Sequence, residues 1–493
     1  MGSLHALDLA LVLAYVIGVT VWGTWLGRRQ KDPKDYFLAD RAMPWWAICF
    51  SIIATETSVL TFVSVPATAY TSDLWMVQLT VGYLIGRIVV AAVLLPGYFK
   101  GQLTTAYALL ERRFGVGMRR YASSIFLVTR TLASSVRLFA IAIPIQLIVG
   151  IDYWQAIVIT GSLTLIYTYF GGLKAVVYVD VLQMFVYLSG AVIALVALIG
   201  LVPGGWDGIV AAAGPAKLRI LHLDGGITDG RWILTGLIGG AFLSMASHGA
   251  DHLIVQRMLA APSLREARKA LIGSGVFIML QFGLFLLVGV ALFAYYEGRV
   301  FPVPDAIFPT FIVEGLPAGL GGIVIAGILS VAMSSEASAI NSLASSATLD
   351  LYGPLSGRGE DKSHMMRAGK LATLFFGVLL IVGAILFQFV ESGTPVVVIA
   401  LNIASFTYGG LLGGFLLAVA SKRADQTDAI IAMTTAMVIM TALWAAQTFG
   451  MIEKKVDGLW FSLIGSALTV ATGVISSRVR GGRPPLSPGP AAG

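Results

Sequence analysis

The chain has 493 residues, of which 57% are hydrophobic and 12% charged, with a formal net charge of +7 and a mean hydropathy of +0.85. Soluble domains carry about 25% charged residues, so this composition excludes a water-soluble enzyme and describes an all-α polytopic membrane protein. The basic surplus is no sign of nucleic-acid binding, because its placement between apolar runs accounts for it.

Apolar runs of membrane-spanning length recur with short polar breaks. A leading helix is predicted near 7–27, then core spans near 45–70, 72–99, 119–149, 153–170, 174–202, 232–256, 268–297, 318–351, 367–391 and 395–420. Two more, near 427–448 and 458–476, bring the total to about thirteen transmembrane helices. The segment 477–493 lacks apolar periodicity and is expected to be a disordered cytoplasmic tail.

Lysine and arginine set the expected orientation. With "RRQKDPKDYFLADR" (28–41) facing the cytoplasm, twenty-four basic residues fall on that side. Six fall outside: Lys217, Arg219, Arg231, Arg299, Lys454 and Lys455. The other three, Arg87, Arg130 and Arg137, lie within predicted spans. This asymmetry places the N-terminus outside and the C-terminus in the cytoplasm of a multi-pass plasma (cytoplasmic) membrane protein. No cleavable leader is expected, since the first apolar run is long and is followed rather than preceded by charge. One cysteine, Cys49, excludes an internal disulfide and a thiolate metal site and reads as a buried small apolar residue.

Two spans carry polar clusters where a plain membrane helix would be apolar: "SIIATETSVLTFVSVP" (51–66) and, five spans later, "FLSMASHGADHLIVQR" (242–257). A carboxylate such as Glu56 at bilayer depth costs roughly 2.5–3.5 kcal/mol on insertion scales and marks a substrate or ion path. Interruptions five spans apart point to two inverted repeats with a binding site at the midplane, where unwound backbone lines a cavity.

Five stretches resemble the sodium:solute symporter family, which includes sodium-coupled sialic acid, monocarboxylate, iodide, proline and glucose carriers. They are "DYFLADRAMPWW" (35–46), "TAYALLERRFG" (105–115), "YFGGLKAVVYVDVLQ" (169–183), "VQRMLAAPSLREARKA" (255–270) and "AMSSEASAINSLASSATLDLY" (332–352). They occur in the family's order and cover most of the chain. The resemblance implies a LeuT-type fold: two inverted five-helix repeats, 45–202 and 232–420, with one helix before and extra helices over 427–476. On this reading 1–476 is a single transporter domain. It is not an enzyme and has no cofactor; its coupling ion is sodium, and its partners are a small polar organic solute and the lipid bilayer.

Val331, Ser334 and Ser335 share one helical face at i, i+3 and i+4. Spacing alone also suits serines that glue helices together or bond back to their own turn. The resemblance implies that these residues, with the backbone carbonyls of Ala54 and Thr57, hold a sodium ion. It also implies a possible second sodium at Asp180, Ser334 and Ser338, although Ala337 stands where a further hydroxyl is expected. Glu336 projects about 100° away from Ser335 and is expected to find a basic partner.

For the solute, positions matching the family's site are Glu56, Ser58 and Thr61 on the first core helix and Ser244, Ser247 and His248 on the sixth. Gln78, Arg137 and Asn402 complete the candidate set. Arg137 is expected to balance Glu56, to bind a substrate carboxylate, to close a gate, or to form a structural ion pair, and the residues leave these roles open. His248, Asp251 and His252 have a metal-ligand spacing, but no HExxH accompanies them, so a membrane metalloenzyme is a weak rival. No G-x-x-x-x-G-K-[ST] is present, which argues against ATP-driven transport. Two rivals remain: a proton-coupled carrier of the same fold, using Glu56 or Asp180, and a non-transporting membrane sensor.

Overall fold

The computed structural model describes residues 6–27, 30, 32–101, 103–389, 396–453 and 455–481, with side chains at all of these except 60, 147, 148 and 396–406. The leading span is α1 (Ala6–Leu26). The first repeat begins with a broken span, α2 (Trp45–Glu56) and α3 (Val59–Thr71), and continues with α4 (Met76–Val93), α5 (Val116–Val149) and α6 (Tyr153–Leu201). The second also begins with a broken span, α7 (Gly240–Gly249) and α8 (His252–Leu259). Then come α9 (Leu264–Tyr295), α10 (Leu320–Ser346), α11 (Lys362–Phe387) and α12 (Val396–Ala420), followed by α13 (Gln426–Thr448) and α14 (Phe461–Val479).

Among the described residues, nine helices are individually long and apolar enough to cross a bilayer. The 49-residue α6 serves as two of the expected spans, and the two broken spans and α12 complete the thirteen read from hydropathy. Helix α14 reaches Val479, so residues 477–479 of the tail expected to be disordered (477–493) are helical instead; the part from 482 onward lies outside the described residues. Two short helices, Gly205–Lys217 and Ile307–Glu314, fold the loops after α6 and α9, which hydropathy alone did not mark.

Each break is built by local chemistry. Helix α2 stops at Glu56, and Thr57 takes an extended conformation (φ −67°, ψ 124°). Ser58 then caps α3 through a reciprocal box with Thr61, 3.4 Å in each direction. In the sixth core span, Asp251 caps α8 by accepting the Leu253 N–H at 2.9 Å. The Tyr98 hydroxyl donates to the freed Gly249 carbonyl at 2.5 Å. Inside α6 the chain turns at Gly172 (φ 53°), a conformation that favours glycine. The Tyr36 hydroxyl donates to Tyr169 O at 3.1 Å and Gln30 bonds Gly171 O, so that break too is satisfied from within.

Tyr36 belongs to a short helix, Pro33–Leu38, whose cap is Asp32. The Asp35 N–H, with smaller help from Lys362 and the Lys34 N–H, holds the Asp32 carboxyl below the usual carboxylate range. Lys362 reaches it at 3.3 Å from the start of α11, tying the loop ahead of α2 to the second repeat.

Glycines let the helices around the breaks approach closely. A Cβ on Gly82 of α4 would sit 2.3 Å from Gly236 O, whereas Gly283 of α9 has nothing within 4 Å. Overpacking costs about 1–3 kcal/mol. Gly82→Leu is therefore expected to lower the thermal unfolding midpoint of the purified protein by that equivalent, and Gly283→Leu to leave it unchanged.

Candidate functional site

Helix α10 crosses the break between α2 and α3. The Ser334 hydroxyl donates to Ala54 O at 2.7 Å and the Ser335 hydroxyl to Thr57 O at 2.9 Å. Ala54, Val331 and Ser334 are fully buried, and Ser335 is half-buried. The Thr57 side chain is fixed behind them: it donates to Ile53 O at 2.7 Å and accepts from the Gln281 amide at 2.8 Å. Tyr187 completes this layer by donating to Gln281 Oε1 at 2.8 Å. Unwound carbonyls and two hydroxyls thus converge at one crossing, offering neutral oxygens suited to a hard monovalent cation.

One turn along α2 and α10 lies a second cluster. Asp180 Oδ2 accepts from Ser51 at 2.6 Å and from Arg257 Nη2 at 3.1 Å. Ser338 bonds Thr55 at 3.0 Å and also takes a hydrogen bond from Arg257. Arg257 is fully buried. The positive-inside count placed it in a cytoplasmic segment, but the short helix α8 carries it inward to a carboxylate. The same chemistry joins the other motifs. Gln256 donates to Phe37 O at 2.9 Å and to Asn341 Oδ1 at 2.8 Å. Arg119 links Asp350 at 2.7 Å to Glu111 at 2.6 Å.

Glu56 lies at the break with its side chain 22% exposed, and its partner is Arg87 of α4 rather than Arg137. Arg87 is fully buried and also donates to Ser274 at 2.7 Å. Helix rotation decides the choice: Arg87 sits on the face of α4 turned toward α2 and α9, while Arg137 on α5 makes no ion pair or hydrogen bond among the described residues. As a lone charge in an apolar span, Arg87 was the available sign that a buried carboxylate must lie opposite. His248 Nε2 stands 3.5 Å from Glu56 Oε2, and its Nδ1 is 2.8 Å from the Ser247 hydroxyl.

The remaining candidates divide. Ser58 and Thr61 are half-buried at the mouth of the break, each engaged in the cap. Ser244 donates to Tyr83 O at 2.9 Å, joining α7 to α4. Gln78 is buried and bonds Arg231 O and the His222 N–H, so its amide serves the loop before α7 rather than the cavity. Asn402 lies on α12, but its side chain is outside the described residues. The metal-like trio separates. Asp251 pairs with Arg130 and accepts from Tyr408 at 2.9 Å, and His252 takes the Ala106 N–H at 3.3 Å and meets Ser345 at 3.2 Å.

The sodium:solute symporter family profile matches residues 36–436. The sodium/sialic acid symporter NanT of Aliivibrio fischeri is 29% identical over 490 residues, covering 96% of this chain and 94% of its own. The human sodium/iodide cotransporter is 25% identical, covering 89% of this chain and 68% of its own. A Na+-coupled sialic acid symporter solved substrate-bound in an outward-open state superposes with a TM-score of 0.87 at 27% identity, over 98% of this chain and 99% of that one. The nucleobase-cation symporter Mhp1, at 14% identity and TM-score 0.54, shares the fold alone, covering 90% of this chain and 94% of its own. The fold is the LeuT type expected from the sequence.

Removing one member of a buried pair costs about 3–5 kcal/mol, because the other charge is left uncompensated. Arg87→Gln should therefore destabilise the protein strongly in thermal unfolding. Adding Glu56→Gln should recover much of that loss, whereas Arg137→Gln should leave stability near wild type.

Proposed function

The chain belongs to the sodium:solute symporter family, and from that premise we propose that it is a sodium-coupled secondary carrier importing a small polar organic solute by alternating access. It is a transporter, not an enzyme, and sodium is its coupling ion. The observation carrying this reading is the pairing of Ser334 with Ala54 O and of Ser335 with Thr57 O. Turning those hydroxyls so that their lone pairs face inward, beside the carbonyls and the backbone of Val331, gives sodium a set of neutral oxygens. An ion bound there holds α2 against α10 and keeps the break in the shape that forms the solute site. Each sodium moving down 100 mV supplies about 2.3 kcal/mol before any concentration gradient.

A single sodium per cycle is the favoured stoichiometry. The second candidate site uses Asp180 and Ser338, and both are engaged by Arg257. Ala337 supplies no oxygen beside them.

The solute belongs to the carboxylate-bearing polar class to which sialic acids belong. Glu56 is neutralised by Arg87 and so does not repel an anion. Arg137 is a guanidinium with no protein partner among the described residues and has the fork geometry that suits a carboxylate. Ser58 and Thr61 lie at the same break, and Ser247 and His248 stand on the other broken span, with His248 3.5 Å from Glu56. On the other side of His248, Arg130, Asp251 and Tyr408 bridge α5, the sixth core span and α12. Release toward the cytoplasm requires that bridge to part. The chain is a multi-pass membrane protein; its basic segments favour the plasma membrane, with the N-terminus outside and the C-terminus in the cytoplasm.

Loss of one coordinating hydroxyl removes about 0.5–1.5 kcal/mol, roughly a two- to tenfold change in affinity. Ser335→Ala should raise the sodium concentration giving half-maximal uptake in proteoliposomes by that factor. A thermal-shift screen of sugars, amino acids, sialic acids and monocarboxylates should find stabilisation by a carboxylate solute that requires sodium and is lost in Arg137→Gln. An unchanged sodium response in Ser335→Ala, or stabilisation by neutral sugars alone, contradicts the respective assignment.

A further inference from the structure

One of the family stretches ends in "LREARKA" (264–270), whose basic residues serve neither the ion site nor the solute site. It forms the first two turns of α9, and beside it the start of α2 leaves a groove of about 700 Å³. Arg265, Arg268 and Lys269 line this groove together with Trp45, Ile272 and Gly273. The missing side chain at 273 keeps it open: a Cβ there would have Cys49 Sγ at 3.4 Å and Trp45 at 4.0 Å as its nearest neighbours.

The charge in the groove is incompletely balanced. Arg265 is exposed and makes no ion pair or hydrogen bond among the described residues. Arg268 donates from Nε to Ala91 O at 2.9 Å, near the end of α4, which leaves both Nη nitrogens of its fork. Lys269 alone has an acid, Glu266 at 2.9 Å. The helix start itself is not the attraction, since Ser263 already caps it by accepting the Glu266 N–H at 3.3 Å. Beyond the cations the same face of α9 turns apolar. Ile272, Val276 and Leu280 follow at helical spacing, and Val276 and Leu280 are 47% and 65% exposed. From Arg268 to Leu280 is about 18 Å along the axis. That is close to the ~15 Å of hydrocarbon in one leaflet, half of a ~30 Å core. Trp45 and Trp46, both exposed on the first turn of α2, stand where indole rings meet the headgroup region.

Two arginines and a lysine at the head of an apolar track suit a phosphate diester joined to an acyl chain. Soluble phosphate would use the cations and leave Trp45 and Ile272 without a partner. A zwitterionic headgroup would bring its own cation against Arg265. We propose that this groove binds an anionic glycerophospholipid, its phosphate on Arg265 and Arg268 and one acyl chain along Ile272, Val276 and Leu280. Basic pockets between transmembrane helices on the cytoplasmic side hold anionic headgroups, and the count of basic residues puts this end of α9 on that side. The choice of leaflet rests on that orientation; the site does not. A lipid seated here touches α2 and α9, one helix from each repeat, beside the span that breaks at the ion site.

The test uses the full chain, purified in non-ionic detergent and measured by native mass spectrometry. The probes are dioleoyl phosphatidylglycerol, dioleoyl phosphatidylcholine and inorganic phosphate. Phosphatidylglycerol is expected to bind more tightly than phosphatidylcholine, by about fivefold for each cation it engages. Arg265→Gln with Arg268→Gln should weaken phosphatidylglycerol by about 25-fold in total. Gly273→Phe, which fills the groove without changing its charge, should abolish the preference. Arg358→Gln, in an exposed loop on the same side of the membrane, should leave it unchanged. Equal affinity for the two lipids, or a preference that survives Gly273→Phe, overturns the proposal. An equal loss in Arg358→Gln marks general surface charge and overturns it too. So does displacement of phosphatidylglycerol by inorganic phosphate at equal concentration, the mark of a soluble-anion site, and so does a dimer that forms at the expense of lipid binding, the mark of a contact between copies. Where either groove variant does not purify, the other decides. None of these outcomes depends on sodium, so the symporter reading stands or falls separately.

Discussion

Lipid offers no hydrogen bonds, so every backbone group freed by a broken helix must find its partner inside the protein. That constraint shapes this molecule. The break after Glu56 would strand the carbonyls of Ala54 and Thr57 if Ser334 and Ser335 were not opposite them. The break after Gly249 depends on Tyr98 and Asp251, and the turn at Gly172 on Tyr36 and Gln30. Only the first of these puts two hydroxyls, one buried and one half-buried, beside unwound carbonyls. The others are closed by side-chain hydrogen bonds from Tyr98, Asp251, Tyr36 and Gln30, so the proposed ion site is the first.

The same constraint governs charge. Four arginines lie against four acids, and each pair joins different helices: α4 to α2, α8 to α6, α5 to the sixth core break, and the start of α5 to the end of the α10 span. Pairs of this kind add little net stability but cost much when broken singly. They therefore fix which helices move together. The stretches that carried the family resemblance meet at these joints. Phe37, Gln256 and Asn341 come from three of them, and Asp180 with Arg257 links a fourth. Their shared role is to hold the two repeats in register around the site.

Much of this was readable from the chain. Thirteen spans follow from hydropathy because lipid imposes a length. The two broken spans follow from polar residues where lipid tolerates none. Ser334 and Ser335 could be placed on one face from their spacing. The partner of Glu56 could not: Arg87 and Arg137 are both in apolar spans, and only helix rotation and depth separate them. Arg257 looked like part of a loop because its count followed the positive-inside rule, which ignores short helices that dip inward. Gln78 looked like a cavity residue, but its position at the start of α4 turns its amide to the loop before α7. Glu336, expected to find a basic partner, has none among the described residues: both its carboxyl oxygens are buried without a hydrogen bond, which depends on packing that the sequence does not display.

The central claim is that one sodium ion, held between the hydroxyls of α10 and the unwound chain between α2 and α3, is what drives the solute inward. Its most direct measurement is the simultaneous entry of labelled solute and radioactive sodium into vesicles containing the purified protein. The account predicts that solute enters only with sodium, in a fixed ratio, and stops when choline replaces it. Equal solute entry in choline, or entry with no accompanying sodium, would contradict it.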